Sequence, residues 1–116
     1  MYEPLRCVRT SRYKLIRDFG SYKRGLPANC DDSPSKDLFL ENGYFDRPRE
    51  REMLFDLYFD PGERRNLAGN RSCRKIFGDL KNRLEGWMED TRDPLLQGEV
   101  PRPEGAIVGW CTSCLP

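Results

Sequence analysis

Histidine is absent from this sequence. Its absence excludes nucleophiles that a neighbouring imidazole activates, such as Ser-His and Cys-His pairs, and it excludes metal sites built on histidine. Carboxylate or lysine chemistry needs no histidine, but 34% of the residues are charged, so no pair of carboxylates stands out. From composition alone, nothing in the chain points to a catalytic site.

Long apolar segments are also absent. No run approaches the ~20 apolar residues that a membrane-spanning helix needs, and residues 1–6 form no apolar signal region. We therefore expect no membrane partner, and we expect any targeting signal to lie upstream of Met1.

The cysteines give no complete metal or redox motif. Their number, five, is odd, which argues against a fully paired disulfide framework. Cys111-Thr-Ser-Cys114 has C-x-x-C spacing, but a zinc site needs two further soft ligands, and a thioredoxin-like site needs the motif to open a helix in a βαβ unit. Ordinary thiols or one incidental disulfide are favoured, and a redox or zinc protein built on Cys111 and Cys114 is an alternative. The remaining cysteines are isolated: Cys7, Cys30 and Cys73.

Charge is unevenly distributed along the 116 residues, although the net charge is only +1. Residues 1–26 contain seven basic and two acidic residues, whereas residues 27–116 contain thirteen basic and seventeen acidic ones. A basic start can attract an anion or an acidic surface, and the plainer interpretation is a solvated strand face. A chain of this length forms one domain with one modest core.

Alternating polarity marks a β-hairpin over residues 5–19. Tyr13, Leu15 and Phe19 fall on one face at period two, and basic residues take the other. The polar pair Thr10-Ser11 supplies a tight turn.

The most apolar run covers residues 53–59. Its aromatic content predicts a strand buried on at least one face. The following Asp60-Pro61-Gly62-Glu63 is typical of a short helical turn with an Asp cap and a capping box. Residues 20–36 predict a loop, after which Phe39 and Leu40 favour a short strand or turn.

The clearest helix covers residues 71–91. Apolar residues recur at three- and four-residue steps, and Asn70 is a suitable N-cap. At this spacing Trp87 and Met88 are predicted to pack in the core. Asp93-Pro94 ends the element.

These elements predict an α+β fold. We expect a small antiparallel sheet of about four strands with one long C-terminal amphipathic helix packed across it. Residues 1–96 form the predicted subdomain, and residues 97–116 form an extended C-terminal arm in which Ala106-Ile107-Val108 favours an edge strand.

Three stretches of the chain occur in a recognisable order. Residues 8–16 read VRTSRYKLI, residues 54–68 read LFDLYFDPGERRNLA, and residues 87–95 read WMEDTRDPL. They resemble, in turn, the RTxxYKYI strand pair, the LYDLxxDPxExxNLA signature and the ending of heparan N-sulfatase-like members of the sulfatase family. Phe55 stands where the signature usually has Tyr. Over residues 5–96 the chain is thus similar to the C-terminal subdomain of sulfatases, including arylsulfatase-like proteins.

The resemblance implies a non-catalytic part of a hydrolase. Sulfatases hydrolyse sulfate esters or sulfamates with a formylglycine made from a Cys/Ser-x-Pro-x-Arg motif, and with bound Ca²⁺ or Mg²⁺. That motif does not occur here. No catalytic residue and no metal ligand is therefore transferred to this chain, and formylglycine and metal are expected only in an absent catalytic domain. On its own the chain is not expected to be an enzyme.

The partner that the resemblance implies is the catalytic domain of the same protein. We expect an exposed apolar patch where that domain is missing, which a homodimer could cover in its absence. Arg9, Arg12 and Lys14 are the candidates for contact with an anionic substrate, and the alternative is that all three are solvated.

A free-standing binding module for an anionic ligand, such as nucleic acid or a sulfated glycan, is the competing hypothesis. Tyr13 and Phe19 beside the basic residues would suit stacking on single-stranded nucleic acid. Nucleic acid is disfavoured, however, because the basic residues do not continue along the chain and the net charge is near zero.

Overall fold

The basic start of the chain folds into the predicted β-hairpin. The computed structural model describes residues 2–25 and 30–106, and in it β1 (Leu5–Arg9) pairs antiparallel with β2 (Tyr13–Asp18). Thr10 closes the turn, since its N–H donates to the Tyr13 carbonyl at 2.8 Å and its hydroxyl accepts from the Tyr13 N–H at 2.9 Å. The polar connection between the strands therefore supplies the hydrogen bonds that the turn needs.

The apolar run forms a third strand that is shorter than predicted. β3 (Glu52–Asp56) pairs antiparallel with β2, giving the order β1-β2-β3. It ends at Asp56, whose carboxylate accepts from the Tyr58 N–H at 3.2 Å and whose carbonyl accepts from the Asp60 N–H at 2.8 Å, so the chain turns away. The α+β class is confirmed, but over the described ranges the sheet has three strands, and the prediction of about four is corrected.

The predicted long helix is α2 (Arg74–Asp90), preceded by a 3-10 turn over Arg71–Cys73. Asn70 caps this turn as predicted, with its side chain accepting from the Ser72 N–H at 2.9 Å. One stripe of α2 is almost fully buried, and burying each of its side chains stabilises the fold by ~1.5–3 kcal/mol. The stripe consists of Leu80, Leu84 and Met88.

The core lies between α2 and one face of the sheet. The strand register places Val8, Leu15 and Leu54 side by side, and Leu15 and Leu54 are completely buried against Leu80. The helix therefore packs across the sheet as expected.

Trp87 is the exception to the predicted core. Met88 is 1% exposed, but Trp87 is 52% exposed, so the core prediction holds for Met88 and is wrong for Trp87. Adjacent residues on a helix point about 100° apart, so Trp87 lies to one side of the buried stripe, beside β1 at the edge of the sheet.

Contacts divide the chain into two compact units. The sheet unit comprises Pro4–Phe19 and Glu50–Val100, and it holds the three strands and α2. The small unit comprises the described residues among 2–3, 20–49 and 101–106.

The small unit contains a helix that the sequence analysis missed. α1 (Pro34–Glu41) begins at Ser33, whose hydroxyl accepts from the Lys36 N–H at 3.2 Å. The predicted loop therefore ends too late, and Phe39 and Leu40 are helical rather than part of a strand or turn. Ser followed by Pro is itself a helix-start signal.

The C-terminal arm is described only in part. A 3-10 turn over Pro94–Gln97 precedes it, while residues 107–116, which include Cys111, Cys114 and most of the predicted edge strand, lie outside the described residues. The division of the chain after residue 96 stays a prediction. In the described ranges, no helix is both long and apolar enough to cross a membrane.

Candidate functional site

Arg12, the first candidate for anion contact, is held by a carboxylate of the same chain. Its Nε lies 3.1 Å from each Asp56 oxygen, and its Nη2 lies 2.7 Å from Oδ2. Hydrogen bonding by the Arg12 guanidinium lowers the pKa of Asp56, and the same pair raises the pKa of Arg12. A bidentate pair of this kind fixes the turn of the hairpin to the end of β3 and neutralises the charge of Arg12.

Lys14 is engaged in the same way. Its Nζ lies 3.0 and 2.9 Å from the two carboxylate oxygens of Glu63. Glu63 is not the capping residue that the sequence predicted, because it adopts a left-handed φ of 52° and its N–H closes a turn on the Asp60 carbonyl at 3.1 Å. The structure thus has a tight turn here instead of a helical one, and the turn aims Glu63 at Lys14.

Asp60 organises the loop after that turn. Its carboxylate accepts from the Arg65 N–H at 2.8 Å, and hydrogen bonds from the backbone of Arg65 and Arg64 lower its pKa. The aspartate predicted as a helix cap therefore caps a loop.

Asn66 covers the outer edge of β3. Its Oδ1 accepts from the Leu54 N–H at 2.9 Å, and its Nδ2 donates to the Glu52 carbonyl at 2.9 Å. The Leu67 N–H completes the set by donating to the Leu54 carbonyl at 2.8 Å. A side-chain amide and one backbone N–H thus satisfy the strand edge as a fourth strand would.

The acidic side chains within residues 54–68 therefore hold the fold together through internal hydrogen bonds. Asp56 binds a guanidinium, Asp60 accepts from a backbone N–H group, and Glu63 binds an ammonium group. Among the described residues, no three His, Cys, Asp or Glu side chains come together as metal ligands. The described thiols are free: Cys7, Cys30 and Cys73.

Arg9, the third candidate, has a different environment. It is exposed at the end of β1, and none of the described residues forms an ion pair with it. It borders a groove of about 300 Å³ between the β1 edge and α2, lined by Cys7, Val8, Arg9, Arg83, Leu84 and Trp87.

The groove brings together residues that sequence reasoning had separated. The sequence analysis predicted Trp87 in the core and did not single out Arg83, yet both border the groove with Arg9. Their i, i+4 spacing on α2 was the available signal. What the sequence did not show was that β1 would lie beside them as the outermost strand.

A second surface carries two exposed aromatic rings. Tyr58 and Phe59 follow β3 and are 76% and 74% exposed, with ring centroids 4.9 Å apart in an edge-to-face arrangement. The guanidinium carbon of Arg12 lies 5.3 Å from the Phe59 ring centroid, so the rings adjoin the Arg12–Asp56 pair.

Comparison with known proteins gives one informative relative. No protein-family model matches the chain. An ulvan-active sulfatase from Formosa agariphila is 34% identical over 101 residues, which is 86% of this chain and 20% of that protein. The chain thus spans about a fifth of the length of the relative it matches. The residues that organise the β3 side, from Asp56 to Asn66, lie in the stretch that resembles the sulfatase signature, and the match supports the assignment of the chain to a sulfatase C-terminal region.

Proposed function

We propose that this chain is the non-catalytic C-terminal subdomain of a sulfatase whose parent enzyme hydrolyses sulfate esters or sulfamates. The observation that carries the proposal is the span of the match, because 86% of the chain aligns with only 20% of an ulvan-active sulfatase. A segment of this size accommodates one small domain. The polar residues of its signature stabilise the fold, as expected of a supporting domain.

The catalytic groups belong, in this proposal, to a domain outside the chain. The 116 residues contain neither histidine nor a Cys/Ser-x-Pro-x-Arg sequence. The acids of residues 54–68 are engaged in internal hydrogen bonds. We therefore assign the formylglycine nucleophile and the Ca²⁺ or Mg²⁺ to the catalytic domain, and no catalytic residue to this chain.

Tyr58 and Phe59 are the proposed contact with that domain. Two neighbouring aromatic rings that are about three-quarters exposed are unfavourable in water and typical of a docking surface. Both lie within residues 54–68, so the docking surface is continuous with the stretch that carries the sulfatase signature. The catalytic domain is the occupant to which we commit.

The coding sequence immediately upstream of Met1 provides the decisive test. An in-frame extension that encodes Cys/Ser-x-Pro-x-Arg is expected. A stop codon and a ribosome site directly before Met1 would overturn the proposal. The isolated chain should also release no sulfate from 4-methylumbelliferyl sulfate or ulvan above the buffer blank, and turnover by the chain alone would contradict a non-catalytic role.

The docking surface is tested in the isolated chain. Without the catalytic domain, a second copy is expected to cover the aromatic pair at high concentration, as a homodimer. Sedimentation of the chain should then be concentration-dependent, and Tyr58→Ser with Phe59→Ser should keep it monomeric. The matched pair Leu38→Ser with Phe39→Ser changes two exposed apolar residues of α1 and should leave the sedimentation of the wild type unchanged.

A free-standing module that binds an anionic ligand is the second candidate. The observation that favours it is the groove with Arg9, Arg83 and Trp87, which needs no catalytic domain to form. Retention on heparin that falls steeply with salt, combined with a stop codon upstream of Met1, would favour this candidate over a sulfatase subdomain.

A further inference from the structure

The backbone of β1 presents open hydrogen-bonding groups along one side of the groove. Antiparallel pairing with β2 turns the backbone groups of residues 5, 7 and 9 outward from the edge of the sheet. The Leu5 carbonyl accepts from the Arg6 side chain at 2.9 Å. Among the described residues, no hydrogen bond reaches the backbone of Cys7 or Arg9 on this side. Cys7 and Arg9 therefore each offer one donor and one acceptor to an added strand.

The helix α2 forms the other wall of the groove. Leu84, which is 2% exposed, provides an apolar floor with Val8, and Arg83 and Trp87 stand one helical turn apart at the rim. An open strand edge beside a helix suits an extended peptide, because main-chain hydrogen bonds supply affinity and a pocket selects a side chain. A volume of about 300 Å³ lies at the lower end of the range for ligand sites, so it accommodates a side chain rather than a domain.

Alternation along β1 determines which side chains an added strand needs. Val8 packs against the core on the α2 face, so the side chains of Cys7 and Arg9 lie on the opposite face of the sheet. A residue of the added strand opposite Val8 would lie on the α2 face beside Trp87, which favours an apolar side chain. A residue opposite Arg9 would lie on the other face. An acid is favoured there, because Arg9 has no ion-pair partner among the described residues.

We propose that the groove between β1 and α2 binds an extended segment of another protein chain, which adds to β1 as an antiparallel strand with an apolar residue opposite Val8 and an acidic residue opposite Arg9. Antiparallel pairing continues the pattern of the sheet. A second copy of this chain fits poorly, because β1 paired with itself about Cys7 would place Leu5 opposite Arg9 and Arg6 opposite Val8. The inference does not depend on the sulfatase role, since β1 and α2 both belong to the sheet unit.

The test uses the 116-residue chain with Trp110→Phe, which leaves Trp87 as its sole tryptophan. The probe is the peptide acetyl-Thr-Glu-Ile-Thr-Ser-Val-amide, whose Glu and Ile would lie opposite Arg9 and Val8. Titration with this peptide should give a saturable change in Trp87 fluorescence. A scrambled peptide of the same composition should bind at least about tenfold more weakly, because it cannot place its acid and its apolar residue together.

N-methylated peptides test the hydrogen bonds without any change to the protein. In an antiparallel pair, the residues opposite Cys7 and Arg9 turn their N–H groups toward β1, whereas the residue opposite Val8 turns its N–H group away. A methyl group on the nitrogen of the Thr opposite Cys7 should weaken binding at least about tenfold, because it removes a hydrogen bond and obstructs the edge. The same group on the Ile nitrogen is the matched control and should change binding less than about threefold.

A charge exchange tests the contact with Arg9. Arg9→Glu should weaken binding of the probe about threefold and strengthen binding of a peptide with Lys in place of Glu by about the same factor. Arg74→Glu makes the same change at an exposed position outside the groove, and it should leave the preference for Glu over Lys unaltered. Circular dichroism before each titration verifies that the variant is folded.

The outcomes distinguish the possible occupants of the edge. No saturable change up to about 1 mM peptide, equal losses from the two methylated peptides, or an unaltered preference for Glu in Arg9→Glu would each overturn the proposal. Tighter binding after truncation at residue 106 would assign the edge to the chain's own arm, and a dimer that the peptide dissociates would assign it to a second copy. None of these results bears on whether the upstream sequence encodes a catalytic motif, so the sulfatase role stands or falls separately.

Discussion

The two edge strands of the sheet, β1 and β3, differ in what lies beside their outward-pointing backbone groups. On β3, residues 52, 54 and 56 turn their backbone groups outward, and Asn66 and Leu67 satisfy Leu54 and Glu52 there. On β1, the hydrogen bonds from the Thr10 N–H to the Tyr13 carbonyl and from the Phe19 N–H to the Pro4 carbonyl show that the backbone groups of the even-numbered residues point toward β2. The backbone N–H and C=O groups of residues 5, 7 and 9 therefore point outward from the β1 edge.

The two edges of the sheet use their polar groups differently. The β3 side contains the sulfatase signature, and its polar groups are used to close an edge and to hold the hairpin turn. On the β1 side, Arg9 has no ion-pair partner among the described residues, and Arg9, Arg83 and Trp87 border the groove. The following experiments test that contrast between the two edges.

Truncation of the central layer should give the largest difference between the sides. Val8, Leu15 and Leu54 are aligned across the three strands, but Leu54 is fully buried and Val8 only half-buried. Leu54→Ala should lower the free energy of unfolding by ~2–5 kcal/mol, whereas Val8→Ala should lower it by about 1 kcal/mol. Urea denaturation measures both, and equal losses would mean that the β1 side is as firmly packed as the β3 side.

Loss of the edge cover is the next largest effect. Asn66→Ala leaves the Leu54 N–H without its acceptor in a buried position, which should lower the free energy of unfolding by ~1–3 kcal/mol. The hydrogen-exchange rate of the Leu54 amide should also increase. Asn82→Ala, on the exposed face of α2, is the matched control and should stay within about 0.5 kcal/mol of wild type. An unchanged Leu54 amide in Asn66→Ala would show that the edge needs no cover.

Periodicity predicted the elements of the sheet unit but not their pairings. Apolar residues that alternate with polar ones, or recur at three- and four-residue steps, predict the hairpin, the strand near residue 53 and the long helix. These patterns are visible in the local sequence. That Arg12 meets Asp56, or that Asn66 reaches Glu52, depends on which strands become neighbours, and a single sequence does not contain that information.

Of the residues that border the groove, the sequence analysis named only Arg9 as a candidate for anion contact. Arg12 and Lys14 have the same strand context in the sequence, and only the tertiary structure shows that Asp56 and Glu63 engage them. Trp87 was assigned to the core because its helical spacing is apolar, yet the sheet ends at β1 and leaves it half exposed. The helix α1 was missed because the Ser33-Pro34 start lies in a segment whose composition predicts a loop.

Acid should weaken both sides of the sheet through their carboxylates. The Arg12 guanidinium lowers the pKa of Asp56, and Arg6, with the Leu95 N–H, lowers the pKa of Asp93 on the β1 side. A lowered pKa means that the stabilisation is complete above the unfolded value of about 3.9 and is lost as pH falls through the folded value. Thermal unfolding should therefore show a steady Tm from pH 7 to about 5 and a decline below about pH 4.

Single variants measure how much of the acid-induced loss of Tm comes from each side of the sheet. Asp56→Asn and Asp93→Asn should each lower the Tm at pH 7 by about 5 °C and make it depend less on acid, because the titrating pair is gone. Asp79→Asn, which changes an exposed acid of α2, should leave the Tm within about 1 °C. If Asp56→Asn retains the full decline below pH 4, the Arg12 pair does not hold the turn as described.

The smallest effect tests whether the β1 side is as open as the groove requires. Gly78 and Gly86 lie inside α2, and a Cβ added at either position meets no atom within 4 Å outside the helix backbone. Alanine at each should therefore stabilise the chain by ~0.5–1 kcal/mol, because glycine is costly in a helix and no contact opposes the change. Gly86 directly precedes Trp87, whereas Gly78 lies two turns away, so Gly78→Ala measures the gain in helix propensity alone. Equal gains in urea denaturation would confirm that the surface beside Trp87 is free for a ligand. A gain at Gly78 with a loss at Gly86 would mean that another part of the chain already occupies that surface, and the contrast between the two edges would then be wrong.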